Sequence, residues 1–244
     1  MMFAFSSVFM ACGNNDDDEN DARTATSDSN TEKDNTKDDV VTEGVEAVDL
    51  GLPSGTKWAN MNVGAEHPED YGLFFAWGET VGYGSDTSDG RQFDWNSYKW
   101  CNGSNTTLTK YCTDSSYGTV DNKNVLDLED DAAHVNWGGS WVMPTYDEIR
   151  ELLSNTTSES ATLNGVNGMK FTSKTNGNSI FLPCAGSRYN EVLYRGGYGD
   201  YWSASLIWDR PEHARKLFLN PGREATPSRE SRSSGFPVRP VLRN

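Results

Sequence analysis

Gly199-Asp200-Tyr201-Trp202-Ser203-Ala204-Ser205 and Gly235-Phe236-Pro237-Val238-Arg239-Pro240-Val241 bracket most of the final sixty residues of this 244-residue chain. Both stretches mix aromatic, small and β-branched residues, which suit buried strands and tight turns. Between them, from Trp208 to Ser234, the texture changes to Trp, Asp, Arg, Glu, His, Lys, Pro and Ser with few apolar anchors. Such material makes a poor core and a workable contact surface. The pattern predicts a fixed frame presenting an irregular, ligand-facing segment.

Outside this region, 35% hydrophobic content and a mean hydropathy of -0.69 indicate that part of the chain is not core. Residues 13 to 49 hold thirteen acidic and three basic side chains and no aromatic ring, too little apolar surface to support folding. A disordered acidic linker is therefore expected over residues 13–45, followed by one domain over 46–244. Residues 50–184 are also acidic, with seventeen acids against eight bases, whereas the last sixty residues carry six acids against ten bases. A chain of net charge -15 repels a phosphate backbone, which argues against sequence-independent nucleic-acid binding, while its basic end suits an acidic ligand.

Residues 1–12 form a signal-like segment. The apolar run from Phe3 to Ala11 is far too short to span a bilayer and has the shape of an export-signal core. It ends in Met10-Ala11-Cys12 and is followed at once by Gly13-Asn14-Asn15-Asp16-Asp17-Asp18-Glu19. This resembles a bacterial lipoprotein signal, with Cys12 left as the lipid-modified N-terminus, and the acidic cluster is similar to the surface-export signal of Bacteroidetes lipoproteins. The implied location is the outer membrane, surface-exposed and held through the lipid anchor only. In an exported protein, Cys101 and Cys112, which flank a turn-rich segment, are expected to close a short disulfide loop. Cys184, between Pro183 and Ala185, reads as a small buried hydrophobe.

Strand, Pro/Gly turn and strand is the simplest reading of Val48 to Ala59, and Tyr71 to Glu79 reads as an aromatic strand. The long stretch 80–125, rich in Gly, Ser, Asn, Asp and Thr, is expected to be a loop pinned by Trp95, Tyr98, Trp100 and Tyr111. A short helix is predicted at Asp130 to Val135. A second starts after Thr145, with Glu148 as its capping-box partner and Ile149, Leu152 and Leu153 on the buried face. Short strands follow at Met169–Thr172, Ser179–Pro183, Tyr201–Ser205, Ala214–Leu219 and Val238–Leu242. The sum is a single α+β domain with two short helices and small antiparallel sheets.

Several of these segments together resemble the Fibrobacter succinogenes major paralogous domain: Val48 to Ala59, Tyr71 to Glu79, Asp130 to Trp141, Met143-Pro144-Thr145, Gly165 to Gly168, Phe181-Leu182-Pro183, Tyr201-Trp202-Ser203 and Val238 to Val241. The similarity spans about residues 46–243 and implies a C-type lectin-like fold, common in Bacteroidetes surface lipoproteins. Some members are similar to the variable proteins of diversity-generating retroelements, which display mutable side chains on a stable lectin-like frame, and Glu191 to Phe236 occupies the matching place. Adenine substitution in AAC codons can write Tyr194, Arg195, Asp200, Asp209, Arg210, His213 and Arg215. It cannot write Trp208, Glu212, Lys216, Glu224 or Glu230. The passage Gly139 to Thr145 is similar to formylglycine-generating enzymes, which share the fold.

For recognition, Tyr194, Tyr198 and Trp208 are candidate aromatic platforms, and Arg210, Arg215 and Arg223 candidate donors to carboxylate, sulfate or sugar hydroxyl groups. Arg195, Asp200, Asp209, Glu212, His213 and Lys216 complete the candidate set. Alternation along Ala214 to Leu219 would send Leu217 and Leu219 inward and set Lys216 and Phe218 outward beside Trp208. Catalysis has weaker support. Formylglycine generation requires a close cysteine pair, and the C-terminal half holds only Cys184; His67, His134 and His213 have no metal-ligand spacing. The Glu-Pro-Asn or Gln-Pro-Asp triplet of calcium-dependent sugar-binding lectins is absent as well. The expectation is a non-enzymatic surface binder of a protein or glycan, without metal or cofactor. The alternatives are a formylglycine-generating-type enzyme and a structural subunit of a surface appendage.

Overall fold

Trp58 and Val241 stand opposite one another in adjacent antiparallel strands, so an early and a late segment of the domain close upon each other. The computed structural model describes residues 44–195 and 197–243. The signal-like segment, Cys12 and nearly all of the expected 13–45 linker lie outside the described residues. In chain order the elements are β1 (Ala47–Val48), β2 (Lys57–Ala59), α1 (Ala132–Trp137), β3 (Trp141–Val142), α2 (Tyr146–Asn155), β4 (Thr156–Leu163), β5 (Val166–Ser173) and β6 (Ser179–Pro183). Then come β7 (Ser187–Tyr189), β8 (Val192–Tyr194), β9 (Gly199–Leu206), β10 (His213–Leu219), β11 (Thr226–Ser231) and β12 (Val241–Leu242). They form small antiparallel sheets of order β1-β2-β12-β3, β11-β10-β9, β4-β5-β6 and β7-β8.

Helix α2 begins at the expected capping box. Thr145 Oγ1 accepts from the Glu148 amide and the Glu148 carboxylate accepts from the Thr145 amide, which satisfies two of the helix's first donors. Arg243 Nε donates to the same carboxylate at 2.8 Å and joins the helix start to the end of the chain. Burial alone would raise the Glu148 carboxyl, but Arg243 and Thr145 outweigh it and hold it below its ordinary range. Helix α1 starts two residues later than the sequence suggests. Asp131 is its N-cap, accepting from the His134 amide at 3.0 Å and from the Met143 amide at 2.8 Å.

Two predicted strands are shorter in the fold. From Tyr71 to Glu79 only Phe74 and Phe75 make bridges, to Tyr83 and Phe236. Of Val238–Leu242 only the last two residues join a ladder, because Pro240 has no N–H to give. Strands β4 and β11 are mostly polar and escaped the hydrophobic-pattern reading.

The β11-β10-β9 sheet lies between two cores. Tyr201, Leu217 and Leu219 pack into one with Trp58, Leu152, Phe171 and Leu182. Trp202, Ala204, Leu206 and Ala214 pack into the other with Phe75, Trp77, Phe236 and Val238. Full burial of one such aromatic side chain stabilises by roughly 2–3 kcal/mol relative to exposure, so these faces dominate the favourable energetics.

The 80–125 stretch is irregular apart from the 3₁₀ turn Thr87–Asp89, and side chains hold it. Tyr98 and Tyr111 are buried, Trp95 and Trp100 pack beside them, and Tyr98 donates to the Trp77 carbonyl at 2.6 Å. Two fully buried arginines, Arg188 and Arg232, do the rest. Arg188 forms a bidentate pair with Asp89 (2.7 and 2.9 Å) and reaches the Gly84 carbonyl. Its guanidinium is the main reason the Asp89 carboxyl sits below its usual value. Arg232 donates from Nε to the Tyr98 hydroxyl, from Nη1 to the Tyr111 and Pro211 carbonyls, and from Nη2 to the Lys110 carbonyl, all within 3.0 Å. Its guanidinium also lies 4.9 Å from the centre of the Trp77 ring. Arg239 binds Asn62 and the Ala59 carbonyl, and burial lowers it to about 10.

Replacing Arg232 with Met strands three carbonyls in a dry interior and should cost about 3 kcal/mol or more. Urea unfolding followed by tryptophan fluorescence will measure it. Arg223→Ala, at an exposed position, should stay within about 0.5 kcal/mol of the parent.

Candidate binding surface

The β9–β10 hairpin ends in a tight turn over residues 207–213. The Ile207 amide donates to the His213 carbonyl at 3.1 Å, the His213 amide to Arg210 at 2.9 Å, and the Arg210 amide back to Ile207 at 3.1 Å. From beneath, Arg232 holds the Pro211 carbonyl, and the Thr113 hydroxyl donates to the carbonyl of Trp208. Ile207 is buried and acts as the plug, which leaves Trp208 projecting with 55% of its surface exposed. Asp209 and Arg210 are exposed beside it. Their backbone is therefore ordered before any ligand arrives, which lowers the entropic cost of recognition.

At the other end of the hairpin a second group gathers. Tyr198, 46% exposed, stacks on Phe218 with ring centres 5.6 Å apart and planes 30° apart. Tyr194, 53% exposed, meets Tyr189 edge-on, and Arg195 lies over the Tyr71 ring at 5.1 Å. Phe218 is four residues beyond Ala214 along β10, roughly 13 Å at strand rise, so the two groups are separate patches.

That separation corrects the expected single row of Lys216 and Phe218 beside Trp208. Lys216 is only 6% exposed. The alternation argument assumed one solvent-facing side, but β9 and β10 are covered on both sides, and Lys216 lies under the Phe236 ring at 4.8 Å. Its ammonium approaches Asp200 Oδ1 at 2.7 Å and Glu230 Oε2 at 3.6 Å. Asp200 is also buried. Desolvation lifts its carboxyl above the usual range, against the opposing pull of Lys216. Glu212 too is buried, its Oε1 3.2 Å from His213 Nδ1 and 4.0 Å from Arg210. Arg215 is half-buried on the Tyr146 ring at 4.4 Å, and Arg223 stands exposed in the turn after β10. Asp200, Glu212 and Lys216 thus leave the set of free contact residues. The basic character of the last sixty residues is partly internal, since Arg188, Lys216, Arg232 and Arg239 are all buried.

Sequence reading also missed a cluster of carboxylates at Asp127, Glu129 and Asp130. The Lys110 ammonium sits among them at 2.8, 3.0 and 2.6 Å and takes up the acceptors. Lys110 and Lys123 hold the Asp127 carboxyl down to about 2. The signal for this cluster was Asp127-Leu128-Glu129-Asp130 itself, but its partner stands some twenty residues upstream. A cavity of about 440 Å³ opens between β1 and the β4–β6 sheet, lined by Val48, Leu163, Lys170, Ile180 and Phe181 among others, and none of the candidate residues lines it.

Cys101 and Cys112 do not form the expected disulfide. Cys101 bridges to Leu108, four residues short of Cys112, and its Sγ donates to the Trp95 carbonyl at 3.0 Å. The Cys112 thiol is buried and donates to Asp114 O at 3.1 Å. Cys184 is buried as well, and burial pushes its thiol up to about 11. In the described residues no helix is long and apolar enough to cross a membrane.

Comparison of the chain with protein-family models, curated proteins and solved structures gave no match.

Alkylation in denaturant without reductant, followed by peptide mapping, should modify Cys101 and Cys112 individually. Labelling of both only after reduction would show a disulfide instead.

Proposed function

We propose that this chain is a surface-displayed, non-enzymatic binding protein whose hairpin β9–β10 carries the recognition patches. One observation carries the reading. Among the described residues, the exposed large aromatic side chains are Tyr194, Tyr198 and Trp208, all within fifteen residues of one another in sequence, with Trp208 in the turn of that hairpin, Tyr198 just before β9 and Tyr194 at the end of β8. The other aromatic residues of the domain are buried or partly covered. Exposed aromatic rings on an otherwise polar surface are the usual anchors of protein and glycan recognition. Arg195 beside Tyr194, and Asp209 and Arg210 beside Trp208, supply polar groups around each anchor.

The resemblance to the major paralogous domain supports the same reading. Two short helices and small antiparallel sheets are compatible with the C-type lectin-like frame that it implies. The retroelement-type variable proteins place recognition on the corresponding segment. Display at the outer membrane follows from the Met10-Ala11-Cys12 signature, with lipid on Cys12 and residues 13–45 as a tether. The ligand is a protein or glycan at the cell surface, met by the exposed rings.

Two measurements test this. A glycan and host-protein array should identify a ligand whose affinity falls at least tenfold, about 1.4 kcal/mol, on Trp208→Ala or Tyr198→Ala with the melting temperature unchanged. An array without binding, or binding indifferent to both changes, counts against the reading. Separately, radioactive fatty acid should enter the wild type and not Cys12→Ser.

A further inference from the structure

Lys216, Asp200 and Glu230 occupy neighbouring strands of one sheet. Phe218 faces Asp200 across β9 and Ala214 faces Glu230 across β11, so the carboxylates flank Lys216 diagonally on the same face. Both reacting side chains are almost wholly enclosed, Lys216 and Asp200 each at 8%, while Glu230 keeps a third of its surface in solvent. The rings of Phe236 and Phe218 lie 4.8 and 5.6 Å from the ammonium and keep water away from it. Yet the contact between Lys216 and Asp200 is not an ordinary hydrogen bond. Nζ comes within 2.7 Å of Oδ1, but Oδ1 accepts no hydrogen bond of normal geometry. An ammonium and a carboxylate in an apolar site without that compensation are costly, and burial disfavours the charged form of Asp200. The raised Asp200 carboxyl agrees with this.

We propose that Lys216 and Asp200 condense to an intramolecular isopeptide bond that covalently joins β10 to β9, with Glu230 as the proton carrier. Lys216 passes one proton to the Asp200 carboxylate that it touches, and its Nζ then attacks Cγ with formation of a C–N bond. Glu230 accepts the proton released by the nitrogen and delivers it to the departing hydroxyl. The C–O bond breaks and one water leaves. Amine and acid become amide and water, with no oxidant, reductant or external group involved. The site has the three features such a step needs: an enclosed nucleophile and electrophile already in contact, a carboxyl made electrophilic by loss of its charge, and a partly solvated acid–base group through which water can escape.

The consequence is a hairpin that cannot be pulled apart by separating its strands. Mass spectrometry of the full chain, folded and then denatured, decides the matter. The wild type should be lighter than its sequence by one water molecule relative to Asp200→Ala and Lys216→Arg variants with the same N-terminus. Proteolytic fragments should show Asp200 joined to Lys216. Glu230→Gln keeps the size of the side chain and should leave the two residues unjoined. A wild-type chain with the full sequence mass and separately recovered Asp200 and Lys216 peptides overturns the proposal. Because wild-type protein alone gives that answer, a variant that fails to fold does not protect it. Ligand binding is not involved in the readout.

Discussion

A buried guanidinium donating to backbone carbonyls is the interaction on which the rest of this molecule depends. Roughly a third of the domain has little ladder of its own, and a loop brought against a core must find partners for its peptide groups or lose several kcal/mol. Arg232 meets that requirement at one point for two segments, through the carbonyls of Lys110 and Tyr111 on one and of Pro211 on the other. Arg188 does the same for the start of the loop, and Arg239 for the end of β2. Trp77, Tyr98 and Tyr111 surround Arg232, so the charge is offset by ring faces and carbonyl dipoles rather than by a carboxylate. The guanidinium's planar fork can serve three directions; an ammonium could not.

This arrangement also shapes the proposed binding surface. The Pro211 carbonyl is the point at which the core grips the β9–β10 turn, so the exposed Trp208 rides on a backbone fixed from inside. Rigidity below and exposure above come from the same contact. The second patch has a different foundation: Tyr198 rests on Phe218, and beneath that ring lies the enclosed Lys216 with its two carboxylates.

Local chemistry made much of the architecture legible in the sequence. Thr145 and Glu148 announce a helix start because the capping box is complete within four residues. Ser179–Pro183 reads as a strand because its apolar run is bounded on both sides by Asn and Pro. What was not legible depended on long-range packing. Lys216 follows the outward phase of its strand, and nothing near it in sequence says that Phe236 will cover it. Arg188 and Arg232 look like ordinary surface arginines because their partners lie about a hundred residues away. Strand β4, Thr-Thr-Ser-Glu-Ser-Ala-Thr-Leu, has no apolar alternation at all and is a strand through its pairing with β5. In the candidate site, the exposed aromatics were legible, since large rings set among polar residues have no local core to join. Division into two patches was not, since it arises from the hairpin's length.

Most of the atoms that Arg232 and Arg188 grip on the irregular stretch are main-chain oxygens, and a main-chain oxygen is the same whatever residue carries it. Information is therefore stored unequally. Each guanidinium is irreplaceable, while at Gly84 or Pro211 the contact itself does not read the side chain. A domain fastened in this way can drift in sequence along its longest loop and at the β9–β10 turn while the fastening stays in place. Its surface can be rewritten at little cost to the fold.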